Sequence, residues 1–325
     1  MPAHARTMTR PPFLRAASDS EAATSPPEPR KAAPVALDPA WRPQQAFAAI
    51  AFACVQQLEA NRAGALLDED PDFVHQMRVA LRRLRSALRL FRAFLPGSFM
   101  QAVTPELRWL TGQLSPLRDW DVLLVQSLPG LLRARPGARA GAVERRIAAA
   151  AQDAREAAAQ ALRRALRSRR YAALLRMLVS ALTLMRQGTA RPPRPKMPLR
   201  RLAAAKLRRA QKKLRIKPRA LALMEPEARH QVRIAAKRLR YAVEFFSSLY
   251  AAKPARRYAD HLADLQDALG SLNDQAVALD LVEQLHPAAA DLAKFRHRLA
   301  EQGGVSLEAA IKAHKRYLRA HPFWQ

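Results

Sequence analysis

The sequence predicts an all-α protein made of two related four-helix bundles, and three observations carry that expectation. Ala, Leu and Arg dominate the composition, whereas aromatic residues are 6% and glycines number 10; strands favour β-branched and aromatic side chains, so this is a helical composition. Apolar residues recur with a helical period from Gln44 almost to the C-terminus. Finally, one helical segment occurs twice at a fixed offset.

Hydrophobic residues make up 49% of the 325, enough for a substantial core, which excludes a mostly disordered basic tail. The 56 Lys+Arg against 27 Asp+Glu leave a formal charge of +29, the balance of a polyanion binder. Cys54 is alone and cannot close an intrachain disulfide, and no Cys/His pairing at zinc spacing surrounds it. The longest apolar runs, such as Ala46–Val55, are too short for a bilayer, and the N-terminus lacks the apolar core of a secretory signal. A soluble, cytoplasmic protein with no membrane partner is expected.

Along the chain, residues 1–43 hold nine of the 24 prolines with no helical or strand period, and are expected to be a disordered segment. Helical patterning over 44–187 forms the first bundle. It stops at Gly188, and four prolines between Arg191 and Pro198 mark a linker over 188–198. A second bundle follows over 199–325.

Val74–Leu95 aligns with Arg229–Tyr250 at an offset of 155 residues, with nine of 22 positions identical, among them His75/His230, Arg78/Arg233, Arg83/Arg238, Arg85/Arg240 and Phe91/Phe246. Upstream, Asp70-Pro71 matches Glu225-Pro226, and an acid before a proline starts a helix. Downstream, Leu107–Leu124 matches Leu262–Leu279 without change of offset, bringing Asp119 onto Asp274. Two blocks at one offset predict a duplicated unit whose copies pack about a pseudo-two-fold axis.

On the helical wheel of the first copy, Met77, Leu81, Leu84, Leu88, Phe91 and Leu95 form a core stripe. His75, Arg78, Arg82, Arg85 and Arg89 share the adjoining face, a basic strip about 21 Å long. The second copy offers His230, Arg233, Lys237 and Arg240, with Glu244 in the last place; Arg83 and Arg238 widen each face. Solvated faces are the commonest fate of such charges. Here nearly all are of one sign, so their i, i+3 and i+4 repulsion is uncompensated within the helix, and the pattern recurs in phase. Both facts favour an anion site.

After the linker, Lys206, Arg209 and Lys213 share a face whose first-half equivalents are Ala51, Cys54 and Leu58, so this basic helix is not duplicated. Other basic runs, Arg163–Arg170 and Lys312–Arg319, read as solvated faces. The histidines leave two readings open, a phosphate donor or a satisfied core residue; no nucleophile, base partner or metal ligand stands in phase with them. Asp119 and Asp274 follow the helix-breaking pairs Ser115-Pro116 and Gly270-Ser271, where they are expected to be structural, capping a helix or anchoring an arginine of the strip.

The motifs His75-x-x-Arg78…Arg82-Arg83-x-Arg85 and His230-x-x-Arg233…Lys237-Arg238-x-Arg240, with Leu117-Arg118-Asp119, Leu272-Asn273-Asp274 and Pro322-Phe323-Trp324, resemble the CHAD domain, the conserved histidine α-helical domain, from about Ala46 to Trp324. The resemblance implies two four-helix bundles around a basic cavity that binds inorganic polyphosphate, often on polyphosphate granules and in company with granule proteins. Many relatives also carry a triphosphate-tunnel enzyme domain with a Glu-x-Glu-x-Lys strand. Here the nearest match, Glu225–Arg229, opens a predicted helix and ends in Arg, so a stand-alone, non-catalytic binder without cofactor or metal is expected. The rival readings are a nonspecific nucleic-acid-binding protein, for which stacking aromatics and known signatures are missing, and a phosphate enzyme, whose acid/base partners are missing.

Overall fold

In the computed structural model, residues 28–129, 142–188 and 197–325 are described; the expected disorder of 1–27 and most of the expected linker lie outside them. The first half comprises α1 (Pro43–Ala60), α2 (Arg62–Leu67), α3 (Pro71–Phe91), α4 (Gly97–Val122), α5 (Ala142–Arg167) and α6 (Arg169–Gln187). The second comprises α7 (Leu199–Lys212), α8 (Pro218–Leu223), α9 (Pro226–Phe246), α10 (Ala252–Gln284) and α11 (Ala289–Leu318). No strand occurs among the described residues. Each half has four long helical arms; in the first, the last arm is split where the Ser168 hydroxyl caps α6 by accepting from the Tyr171 N–H at 3.2 Å.

The 155-residue offset governs the element boundaries. The ends of α3 and α9, the single 3₁₀ turns after them at Arg92–Phe94 and Ser247–Leu249, and the starts of α4 and α10 all coincide under it. Prolines open α3 and α9 as expected, and the Asp70 carboxylate accepts from the Asp72 N–H at 2.7 Å; Glu225 makes no such bond. The whole predicted stripe, Met77 to Leu95, is buried.

Equivalent residues meet one another where α3 crosses α9. The Phe91 and Phe246 rings lie 5.7 Å apart, and one continuous core runs from this contact into both halves. A smaller apolar cluster joins the halves again, with Trp120 and Ile147 on one side and Val282 and Phe295 on the other.

Two expectations are corrected. Ser115-Pro116 and Gly270-Ser271 do not break helices: both lie inside continuous ones, α4 and α10. A proline removes one backbone bond, but the buried leucines at 114 and 117 hold both sides of it in the core. Residues 28–42 are also not disordered. Their extended strap crosses both halves: the Asn61 side chain receives the Arg30 N–H at 2.9 Å and donates to its carbonyl, while the Leu37 N–H reaches the Ser248 hydroxyl at 3.0 Å. Leu37 is buried and Trp41 packs on the core, so three apolar residues, Val35 with them, hold down a proline-rich run.

Arg83, expected in the anion site, also ties elements of the fold together. It is 1% exposed and donates to Glu244 at 2.7 Å, Gln57 at 3.0 Å and the Ala33 carbonyl at 3.4 Å, tying α3, α9, α1 and the strap together. Glu244 therefore departs from the basic pattern because it answers a buried cation. The guanidinium end of this pair is buried and the carboxylate end is about one-third exposed, so removing the acid weakens a charge-assisted bond rather than stranding a bare charge. We expect Glu244→Gln to lower the urea-unfolding stability by about 1.5 kcal/mol, and the double change Arg83→Met with Glu244→Met to recover more than half of it.

Candidate polyanion-binding site

The repeat helices α3 and α9 each carry core leucines on one side, so burying those stripes turns both basic faces toward the same region. There Arg78 and Arg82 of α3 lie within electrostatic reach of Arg233 and Lys237 of α9. Two carboxylates answer these four cations. Arg78 donates to Asp119 at 3.0 Å and to the Ser115 carbonyl at 3.1 Å, and Arg233 approaches Asp274 to 3.8 Å. Both aspartates thus anchor arginines of the strip, one of their two expected roles. Sitting within continuous helices, neither caps one.

The charges are poorly relieved. Burial, and then the charges of Arg233 and Arg82, push the Lys237 ammonium down from 10.5 to about 7. Burial also lowers Arg78 and Arg233 and raises Asp119, outweighing its bond to Arg78. The Nε of Arg82 is buried without a hydrogen-bond partner. A buried donor with no acceptor costs free energy that an anionic oxygen would recover.

His75 is half-buried at the head of the strip and lines a cavity of about 960 Å³ together with Arg82, Lys237 and Arg240. Burial and then the charges of Arg118 and Arg82 lower it to about 4, so at neutral pH its ring is uncharged and can donate one hydrogen bond without adding to the repulsion. His230, also half-buried, is not among the residues lining that cavity. The two histidines, identical in sequence, are therefore not equivalent in position.

The far ends of the strips open elsewhere. Arg89, Arg238, Lys206, Arg209 and Lys213 line a second cavity of about 760 Å³ between α3, α7 and α9. Arg85 and Arg89 line a third of about 450 Å³ against α4. Every expected cationic site residue except His230 thus lines one of these cavities or belongs to the central cluster; Arg83 lines the first of them while held by Glu244 and Gln57. Three contributors were not expected: Arg118, whose charge acts on His75 and Arg78, and Arg92 and Arg108 beside Arg85. Arg118 carried one sequence signal, its place next to Asp119. The run from Arg163 is partly ion-paired, Arg163 with Asp68 and Arg170 with Glu106, as a surface face would be. Among the described residues no group of three or more His, Cys, Asp or Glu is placed to hold a metal ion, and no helix is long and apolar enough to cross a membrane.

The model of the CHAD domain family matches residues 49–283. Among solved structures, the CHAD domain from the plant Ricinus communis is similar with a TM-score of 0.72 and 32% identity, covering 90% of this chain and 98% of that one. PptA from Streptomyces chartreusis shares the fold with a TM-score of 0.57 and 19% identity, covering 89% of this chain and 99% of its own. A comparison with curated proteins gave no match.

The depressed Lys237 makes a test of the cluster in the free protein. Between about pH 7 and 10.5 the unfolded chain still holds the proton that the folded chain has lost, so this group's contribution to stability rises with pH across that window. The raised tyrosines, Tyr171 and Tyr258 among them, act in the opposite sense above about pH 10. We expect Lys237→Met to flatten the stability profile by up to about 1.4 kcal/mol per pH unit between about pH 7.5 and 9.5, measured by urea unfolding across that range.

Proposed function

The chain belongs to the CHAD domain family, and from that membership and its geometry we propose that it binds inorganic polyphosphate without transforming it. One observation carries the reading: Arg78, Arg82, Arg233 and Lys237, brought together from two helices 155 residues apart in sequence, face only Asp119 and Asp274 among the carboxylates named beside them. An isolated phosphate would engage one or two of these groups. A linear polyanion engages all of them and continues onto the cationic rims.

The arginines supply paired N–H donors to phosphate oxygens, Lys237 a compact charge that regains its proton when an anion arrives, and His75 a neutral donor at one end. Asp119 and Asp274 hold Arg78 and Arg233 in position, so little side-chain freedom is lost on binding. Each neutralised phosphate releases counterions, and successive phosphates bind at high effective concentration. Residence on cytoplasmic polyphosphate granules, with granule proteins as neighbours, belongs to the same proposal.

Purified protein at physiological salt should bind labelled long-chain polyphosphate more tightly than DNA or RNA of equal charge, with no phosphate released. The logarithm of the affinity should fall linearly with the logarithm of salt concentration. The combined change Arg78→Glu and Arg233→Glu should weaken binding at least about 100-fold while leaving the helical circular-dichroism spectrum intact. Unchanged affinity in that folded variant removes the proposal, and equal competition by nucleic acid replaces it with the nonspecific reading.

A further inference from the structure

Equivalent positions in the two halves carry different charges around the α3–α9 crossing. Arg83 of α3 and Arg238 of α9 are equivalent, as are Glu244 of α9 and Arg89 of α3. On one side Arg83 pairs with Glu244 at 2.7 Å. On the other, the same contact places Arg238 against Arg89, whose guanidinium is lowered by partial burial and then by the charges of Arg238 and Arg85. One side of the crossing is closed by an ion pair, and the other presents two cations.

The difference extends outward from the crossing. Behind the ion pair lies α1, whose Ala51, Cys54 and Leu58 are buried; behind Arg89 and Arg238 lies α7, with Lys206, Arg209 and Lys213 at the same three positions. Along the first side, Glu244, Asp260 and Asp267 line the His75 cavity beside Arg240 and Arg256, and Ala32, Ala33 and Pro34 of the strap lie in its wall. Along the second, Arg89, Pro105 and Gly112 occupy the positions equivalent to those acids, and Arg108 replaces Ala263. No described residue lining the two cavities on that side is acidic.

Resting on the polyphosphate reading, we infer that the bound chain leaves the central cluster in one direction only, over the Arg85–Arg89–Arg238 side, with Arg92 and Arg108 as binding residues for its outer phosphates. The acid-lined side with the strap holds at most the end of the chain near His75. A polymer running that way would gain Arg240 and Arg256 but meet three carboxylates. A polymer running the other way adds a cation from α3, α4, α7 or α9 at each step, so length dependence arises on this side alone.

The test compares exposed arginines of the two sides in the full chain, using long-chain polyphosphate and, as a probe short enough for the central cluster, tripolyphosphate. Arg92→Glu with Arg108→Glu should weaken long-chain binding at least about tenfold, reduce its salt slope, and change tripolyphosphate affinity less than about threefold; Arg108→Glu alone should weaken long-chain binding at least about fivefold. The single change Arg256→Glu, on the strap side, should change long-chain affinity less than about twofold. Glutamine versions guard against misfolding and should keep the same ranking. Equal losses from Arg108→Glu and Arg256→Glu, or the larger loss from Arg256→Glu, overturn the one-way path, as does a silent Arg92 and Arg108 pair. In all of these cases a loss of binding in the Arg78→Glu, Arg233→Glu variant leaves the polyphosphate reading standing. A central variant that binds like the wild type removes that reading and the path with it.

Discussion

Repulsion between like charges at the crossing of α3 and α9 is the constraint around which the molecule is organised. Four cations are brought together by burying the opposite faces of their own helices, and two carboxylates are too few to neutralise them. Burial first, and then repulsion from Arg233 and Arg82, bring Lys237 from 10.5 down to about 7, roughly 5 kcal/mol against holding that one proton. The stabilisation that offsets it is apolar: Phe91 against Phe246 and the core continuous with them. Cations and core lie on adjacent stripes of the same two helices, so relieving the repulsion by separating the helices would expose the core.

That coupling gives an anion a large thermodynamic effect. A ligand that binds the folded state alone stabilises it by mass action, and an anion at this cluster would also discharge it, restore a proton to Lys237 and give the buried Arg82 Nε an acceptor. The free protein is preorganised at a cost met by its core. Asp119 and Asp274 keep the arginines aligned without cancelling their charge, which two further acids would have done.

Much of this was legible in the sequence because periodicity and repetition are local properties. The stripe from Met77 to Leu95, the basic faces beside it and the fixed offset follow from spacing, whereas for Asp119 and Asp274 spacing leaves capping and arginine anchoring open and the contacts to Arg78 and Arg233 decide. What spacing cannot supply is which residue of another element stands opposite. Arg83 reads as one more cation of the strip because its answering acid lies 161 residues away, and Glu244 reads only as a break in the basic pattern for the same reason. His75 and His230 were indistinguishable by motif, yet only the first lines the large cavity. Ser115-Pro116 and Gly270-Ser271 were misleading because local propensity yields to burial on both sides of the break. The strap was overlooked because proline-rich composition conceals Val35, Leu37 and Trp41.

The two halves match in element boundaries but not in charge at the α3–α9 crossing. One equivalent contact is an ion pair backed by an apolar helix, and the other is a pair of cations. The Arg83–Glu244 contact joins the two helices and, through the Ala33 carbonyl, the strap that packs over it. The other contact stays repulsive in the free protein, and α7 adds Lys206, Arg209 and Lys213 beside it. Stability and charge, which compete at every position of a symmetric crossing, are thereby assigned to opposite sides of it.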